Sequence, residues 1–306
     1  MSRVHDALRR AEQTGFVAPS PSADGTEPAS AAAEVKTALM APVGDIDSHI
    51  LRPGDLRLDP EFLSRVQDVA FTPSVDSHLV DANKPHEAPA EEFRTLRTRL
   101  NHLQSIQPIS TLVVTSPSPA EGKSFAAVNL ALSEAQLTNN PTLLIDCDFR
   151  RPIVHSLFQL ERSPGMTDFL TGKARLEDCI KRISSSGLYV LPAGDSVINP
   201  LELLNLREMK ILIDQLPRVF KWVILDSPPL LFAADANLLS TLCSGTVIVV
   251  RVGTTTIDSI TRAMQSLCEN NVLGIVVNGA RRGELYSKYT YYHSYYYARN
   301  EEGGSD

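Results

Sequence analysis

The stretch Thr111–Ser124, TLVVTSPSPAEGKS, constrains this chain more than any other. Its apolar, β-branched run Leu112-Val113-Val114 reads as a buried strand and stops at Ser116-Pro117-Ser118-Pro119, a cluster of turn formers. Gly122-Lys123-Ser124 follows, and a helical pattern begins at Phe125. Strand, tight loop, Gly-Lys-Ser and helix is the order that a phosphate-binding loop needs. Backbone N–H groups of such a loop and of the helix N-terminus point at phosphate oxygens, Lys123 adds a mobile positive charge, and the Ser124 hydroxyl suits magnesium. Two positions depart from the pattern G-x-x-x-x-G-K-[ST]: its first glycine falls at Pro117, and Ala120 stands where related loops often carry glycine.

Two downstream segments repeat the arrangement of an apolar run ending in acid. Leu143-Leu144-Ile145 leads into Asp146-Cys147-Asp148-Phe149-Arg150-Arg151-Pro152, two carboxylates one residue apart and then two arginines. Trp222-Val223-Ile224-Leu225 ends in Asp226-Ser227-Pro228-Pro229. Acids at the C-terminal ends of parallel strands lie at the ligand edge of the sheet, where they organise magnesium or take a proton from an attacking hydroxyl. Asp148 and Asp226 are the metal-organising candidates with Ser124, and Asp146 is the candidate to orient or deprotonate the acceptor. A fourth run, Ile275-Val276-Val277, ends in Asn278, whose amide suits either an adenine edge or a turn. The nucleotide-binding set is Glu121, Gly122, Lys123, Ser124, Phe125 and Asn278, and the catalytic set is Lys123, Asp146 and Asp148.

From Ser110 strands alternate with helices. Candidate strands are 112–115, 142–146, 188–191, 222–226, 246–252 and 274–278, and candidate helices are 124–137, 200–219, 233–243 and 256–270. Nearly continuous apolar strands indicate a mostly parallel sheet covered on both faces, hence a doubly wound α/β fold. Upstream, residues 1–16 carry a short amphipathic helical pattern, 17–42 form an Ala/Ser/Pro-rich flexible linker, and 43–86 read as an irregular lead-in with a short helix within 59–69. The α/β core is expected over 87–283 and a tail over 284–306. A helix over 90–103 places Glu91, Arg94 and Arg97 at every third residue, as a solvated face or a self-association surface.

The chain has 306 residues and a net charge of −7. That argues against binding nucleic acid through a broad basic surface. The four cysteines, Cys147, Cys179, Cys243 and Cys268, lie far apart, with no C-x-x-C pair, and read as small buried hydrophobes of a reducing compartment. The N-terminus lacks the apolar core of a signal peptide, and no run approaches the ~18 apolar residues of a membrane span. A cytoplasmic location is expected, with any membrane connection supplied by a partner. Seven of the eight tyrosines fall within YSKYTYYHSYYY: Tyr286, Tyr289, Tyr291, Tyr292, Tyr295, Tyr296 and Tyr297. Such a tail is either a stacking surface or a phosphorylation substrate, each phosphate adding about −1.5 to −2 charge.

Together these residues resemble the bacterial tyrosine kinases of exopolysaccharide and capsule assembly, over Asp81 to the C-terminus. The likeness is carried by E-x-x-R-x-x-R at Glu91, Arg94 and Arg97, by SPSPAEGKS, by IDCDFRRP, by ILDSPP and by the tyrosine tail. The opening MSRVHDALRRAE is similar to the leader of an exosortase-linked subgroup. The resemblance implies a phosphate-loop fold of the deviant Walker type and ATP with Mg2+ as cofactors. It implies autophosphorylation of the tail in trans within a homo-oligomeric ring supported by Glu91, Arg94 and Arg97. It further implies a membrane-embedded chain-length protein as activator, recruitment to the inner face of the cell membrane, and a tyrosine phosphatase as counterpart. A positioning or partition ATPase of the same superfamily is the alternative. Such ATPases usually carry a second lysine where this chain has Ser118, and they lack a tyrosine tail. A third possibility is a regulator of export that binds ATP weakly or not at all, which the retained Lys123, Ser124 and acidic residues disfavour.

Overall fold

A computed structural model describes residues 58–59, 61–73, 77–81, 89–267 and 272–280. The expected N-terminal helix, the linker, Cys268 and the tyrosine tail lie outside the described residues.

One sheet carries the strands β1 (Gln67–Val69), β2 (Thr111–Thr115), β3 (Thr142–Asp146), β4 (Lys181–Ile183), β5 (Leu188–Leu191), β6 (Trp222–Asp226), β7 (Gly245–Arg251) and β8 (Val272–Asn278), in the order β1-β4-β5-β3-β6-β2-β7-β8. All neighbours are parallel except β4 and β5. The central strands β2, β3 and β6 are buried along their whole length, which is why they read as unbroken apolar runs.

Alternation then sorts each strand onto two cores. Val113, Leu143, Ile145, Val223 and Leu225 pack on one face with Met209, Leu212, Ile213 and Leu216. Leu112, Val114, Leu144 and Ile224 pack on the other with Ala127, Leu130 and Ala131 of the helix Lys123–Ala135 and with Phe93 and Leu100 of the helix Ala90–Ile106. Each fully buried Leu or Val contributes about 1.5–3 kcal/mol relative to exposure, so both faces are needed to hold the central strands.

The fold class is as expected, and the six strands from Ser110 onward are found within two residues of their expected bounds. Four differences have local causes. The short strand β1 at the sheet edge and its neighbour β4 were not anticipated, because three residues such as Lys181-Arg182-Ile183 carry no periodicity. Residues 59–69 split into one helical turn, Phe62–Arg65, and β1. The expected helix over 200–219 breaks into Pro200–Leu204, Arg207–Gln215 and a 3-10 turn Leu216–Arg218, with Leu206 extended at the break and Pro217 in the last turn. The helix from Ala90 runs one turn past 103, to Ile106.

In that helix Glu91 pairs with Arg94 on the outside, whereas Arg97 donates to the Ser133 carbonyl at 2.7 Å and so ties the helix to Lys123–Ala135. Beside it, the buried Glu134 accepts from Asn101 at 2.9 Å and from Asn140 at 3.0 Å, and Trp222 Nε1 donates to Asn101 Oδ1 at 3.2 Å. Burial pushes Glu134 up to about 7 against the pull of these amides and of Arg97. Cys147, Cys179 and Cys243 are buried free thiols, as expected of small core residues. Among the described residues no helix is long and apolar enough to cross a membrane.

Candidate active site

Strand register assembles the acids. Asp146 stands opposite Asp226 across the β3–β6 ladder, and Asp226 stands opposite Val114 across β6–β2. Both acids share the parity of Leu144 and Ile224, so they face the layer of the helix that begins at Lys123. Where β2 ends, the chain turns through Ser116–Gly122 and enters that helix, placing Lys123 over the two strand ends.

Lys123 Nζ lies 2.7 Å from Asp148 Oδ2, 3.7 Å from Asp226 Oδ1 and 3.1 Å from Ser124 Oγ. Burial draws the lysine's pKa down, but Asp226, Asp148 and Asp146 outweigh it and hold the ammonium above its ordinary value. Asp226 is fully buried; Lys123 forms an ion pair with it at 3.7 Å, and neither carboxylate oxygen accepts a hydrogen bond within 3.5 Å. Burial raises its pKa to about 6, with Lys123 opposing the rise. Asp146 is also fully buried, but it is well supplied. Its Oδ1 accepts from the Asp148 N–H at 3.1 Å, and its Oδ2 accepts from Ile153 and Val154 at 3.1 Å each. It therefore shapes the turn that carries Asp148 while keeping one accepting position on Oδ1. Burial first, then the charge of Asp226, push Asp146 up to about 8.

The loop is braced from behind. Glu121 is buried; its Oε2 accepts from the Ser118 N–H at 2.7 Å and its Oε1 from the Thr255 hydroxyl. Arg251 Nη1 donates to the Ala120 carbonyl at 3.2 Å. Asn278 Nδ2 donates to the Glu121 carbonyl at 3.0 Å, and its Oδ1 accepts from the Gly279 N–H at 2.8 Å. Each polar atom of that amide thus has a protein partner and keeps one further donor or acceptor position. Gly122 has φ +96°, and a Cβ there would lie 2.0 Å from Asn278 Nδ2, so a side chain at this position would be strained and would displace Asn278. The Phe125 ring is turned away to Phe93, with centroids 6.1 Å apart, leaving only its backbone near the loop. Sequence reasoning missed Thr255 and Arg251, which nothing local marks, and Asp235, which reads as an ordinary first-turn acid.

Ala120 has φ +63°, the left-handed region that favours glycine. An L-residue there costs about 1 kcal/mol. Ala120→Gly is expected to raise the melting temperature by about 2–4 °C with Mg-ATP affinity unchanged or improved. Thermal unfolding and a nucleotide titration check this, and a lowered melting temperature would refute the strain.

The Asp226 and Asp148 carboxylates and the Ser124 hydroxyl, gathered around Lys123, present oxygen atoms of the kind that a small hard cation takes. Parallel sheet, Gly-Lys-Ser loop at a helix N-terminus and strand-end acids under the lysine define a phosphate-loop nucleotide-binding protein. Among known proteins the chain is 34% identical over 217 residues to the tyrosine-protein kinase YwqD of Bacillus subtilis, covering 70% of this chain and 91% of that one. It is 29% identical to the putative tyrosine-protein kinase CapB of Staphylococcus aureus, covering 72% of this chain and 96% of that one. It is also 31% identical to the tyrosine-protein kinase Wzc of Salmonella typhimurium, but spans only 30% of that longer protein. The chain belongs to the bacterial tyrosine-protein kinases. Solved structures agree: the kinase domain of the Escherichia coli tyrosine kinase ETK matches with a TM-score of 0.63 at 27% identity, over 73% of this chain and 95% of that one. The chimerical protein CapA2B2 matches at 0.64 and 28%, over 71% and 94%. No protein-family model matches the chain.

Proposed function

We propose that this protein is a magnesium-ATP-dependent protein-tyrosine autokinase that phosphorylates its own C-terminal cluster, Tyr286, Tyr289, Tyr291, Tyr292, Tyr295, Tyr296 and Tyr297, and thereby regulates polymerisation and export of an exopolysaccharide or capsule. The observation that carries the reading is Lys123 Nζ held 2.7 Å from Asp148 and 3.7 Å from Asp226 at adjoining strand ends. Membership of the tyrosine-kinase family and the density of tyrosines beyond β8 support it.

In this reading the loop N–H groups and Lys123 bind the β- and γ-phosphates, and Ser124, Asp148 and Asp226 hold Mg2+. The ion, when bound, neutralises charge on the phosphates. Asp146 orients or deprotonates the tyrosine hydroxyl through the accepting position that remains on its Oδ1. The Glu91–Arg94 pair offers an outward contact for ring formation, while Arg97 acts from within by fixing the helix. The activator is a membrane-embedded chain-length protein that brings the kinase to the inner face of the cell membrane, and a tyrosine phosphatase resets the tail.

The test is tandem mass spectrometry of the full chain after incubation with Mg-ATP, with and without the cytosolic segment of a candidate activator. Phosphate on residues 286–297 is expected. ATP hydrolysis with no phosphotyrosine under either condition would overturn the kinase in favour of a positioning ATPase.

A further inference from the structure

Arg150 leaves the β3 turn two residues after Asp148, and its partner is unusual. Its Nε lies 2.6 Å from Asp235 Oδ2, and its Nη2 lies 3.3 Å from Asp235 Oδ1. Asp235 is only 1% exposed, while the Arg150 side chain is 48% exposed. Asp235 belongs to the first turn of the helix Ala234–Leu242, which follows the segment after β6, so the pair joins the turn that carries Asp148 to the helix that follows the strand ending in Asp226.

An ordinary surface ion pair contributes about 0–1 kcal/mol and leaves both partners in water. Here a carboxylate is buried, at a desolvation cost, to grip one edge of a guanidinium whose other edge stays open. Arg150 Nη1 has no partner among the described residues. The turn is fixed as well: the Arg151 N–H donates to Asp148 Oδ1 at 3.0 Å, which keeps Arg150 beside the carboxylate that touches Lys123. Asp148 is near enough to strengthen the charge on Arg150, behind the larger contribution of Asp235. A planar cation clamped on one edge and open on the other, on the turn whose Asp148 pairs with Lys123 of the phosphate-binding loop, is built to read phosphate oxygens in two-point fashion.

We propose that Arg150 is a catalytic residue that contacts the phosphoryl group in transfer, and that Asp235 is the positioning residue that presents it. The inference rests on the kinase reading above. In the transfer, the tyrosine oxygen bonds to the γ-phosphorus and the bond from that phosphorus to the β–γ bridging oxygen breaks. The electron pair of that bond leaves on ADP, and the phenolic proton passes to Asp146. Arg150 exchanges no proton; it stabilises charge on the non-bridging oxygens, where an arginine is worth roughly 1,000-fold or more in turnover.

The experiment compares wild type, Arg150→Ala, Arg150→Lys, Asp235→Asn and Asp235→Glu in the full chain. It measures single-turnover phosphotyrosine formation, ADP and ATP affinity by fluorescent-nucleotide competition, and thermal unfolding. Arg150→Ala is expected to lose roughly 1,000-fold or more in turnover, to keep its ADP affinity and to bind ATP more weakly. Arg150→Lys should recover only part of the rate, because a point charge lacks the fork. Asp235→Asn should lower turnover about tenfold with ADP binding unchanged, and Asp235→Glu should restore some of it. Arg150→Ala with wild-type turnover, or with ADP affinity and melting temperature falling in step with rate, overturns the inference and leaves a merely structural pair. If wild type hydrolyses ATP without labelling tyrosine, the kinase reading fails instead. The same variants are then judged on hydrolysis and on the ratio of ATP to ADP affinity: an unchanged rate and ratio in Arg150→Ala overturn the inference there too. Absence of nucleotide binding in wild type overturns both.

Discussion

Lys123→Met is expected to abolish phosphotyrosine while the protein remains folded. The ammonium sits between Asp148 at 2.7 Å and Asp226 at 3.7 Å, in a site where little water screens it. Methionine keeps the length and apolar bulk of the stem but removes the charge that meets the β- and γ-phosphates. Loss of one such preorganised electrostatic contact costs roughly 100- to 1,000-fold in rate, and here the contact also serves binding. The fold should survive because the carboxylates left behind can take up a proton. Burial already holds Asp226 at about 6 and Asp146 at about 8, and removing a nearby cation raises both further. Phosphotyrosine blotting beside circular dichroism reads both parts. Full labelling in a folded mutant would remove Lys123 from the mechanism.

Asp226→Asn is expected to cost activity by a similar factor, roughly 100-fold or more, and at the same time to stabilise the nucleotide-free protein. Asp226 is wholly buried, its oxygens accept no hydrogen bond within 3.5 Å, and its ion pair with Lys123 spans 3.7 Å. Its folded pKa of about 6 exceeds the ordinary value of 3.8, so the folded state holds the proton more tightly than the unfolded state does. Wild-type stability from this group is therefore greatest below about 4, falls as pH rises towards about 6, and stays reduced above it. Asparagine removes that fall, so the mutant's advantage should be small near pH 4 and reach about 1–3 kcal/mol at neutral pH. Because Asp146 and Asp226 titrate as neighbours, the mutant should also lower the pKa of Asp146. Thermal unfolding across a pH series tests the sign. A neutral-pH melting temperature below wild type would mean that the Lys123–Asp226 attraction outweighs the burial of the charge.

What could be read from sequence follows from how strongly each residue's surroundings are local. Strands β2, β3 and β6 were legible because burial on both faces demands continuous apolar residues. The loop was legible because Gly122-Lys123-Ser124 acts largely through backbone that the sequence itself shapes. Asp146, Asp148 and Asp226 were legible as strand-end acids, but their division of labour was not. That Asp146 grips the N–H groups of residues 148, 153 and 154 while Asp226 accepts no hydrogen bond depends on how the turn closes over the sheet. The braces on the loop were invisible for a similar reason. Thr255 and Arg251 reach Glu121 and Ala120 across more than a hundred residues of chain, and only the β2–β7 pairing brings them together. Arg97 shows the limit of periodicity. It shares a three-residue spacing with Glu91 and Arg94, yet it is turned inward to Ser133.

The alternation that feeds the two cores has a consequence for how such a chain can change in length. Asp146 and Asp226 face Lys123 because they share the parity of Leu144 and Ile224. Inserting or deleting one residue within β3 or β6 would swap the strand's contributions to the two cores and turn its terminal acid to the sheet face away from Lys123. A two-residue change would keep the faces but move the acid about 6.6 Å along the strand, a displacement set by the rise per residue. Heritable length variation in this protein should therefore collect in the connections, such as 137–141 or 194–199, while the strands behave as fixed rulers.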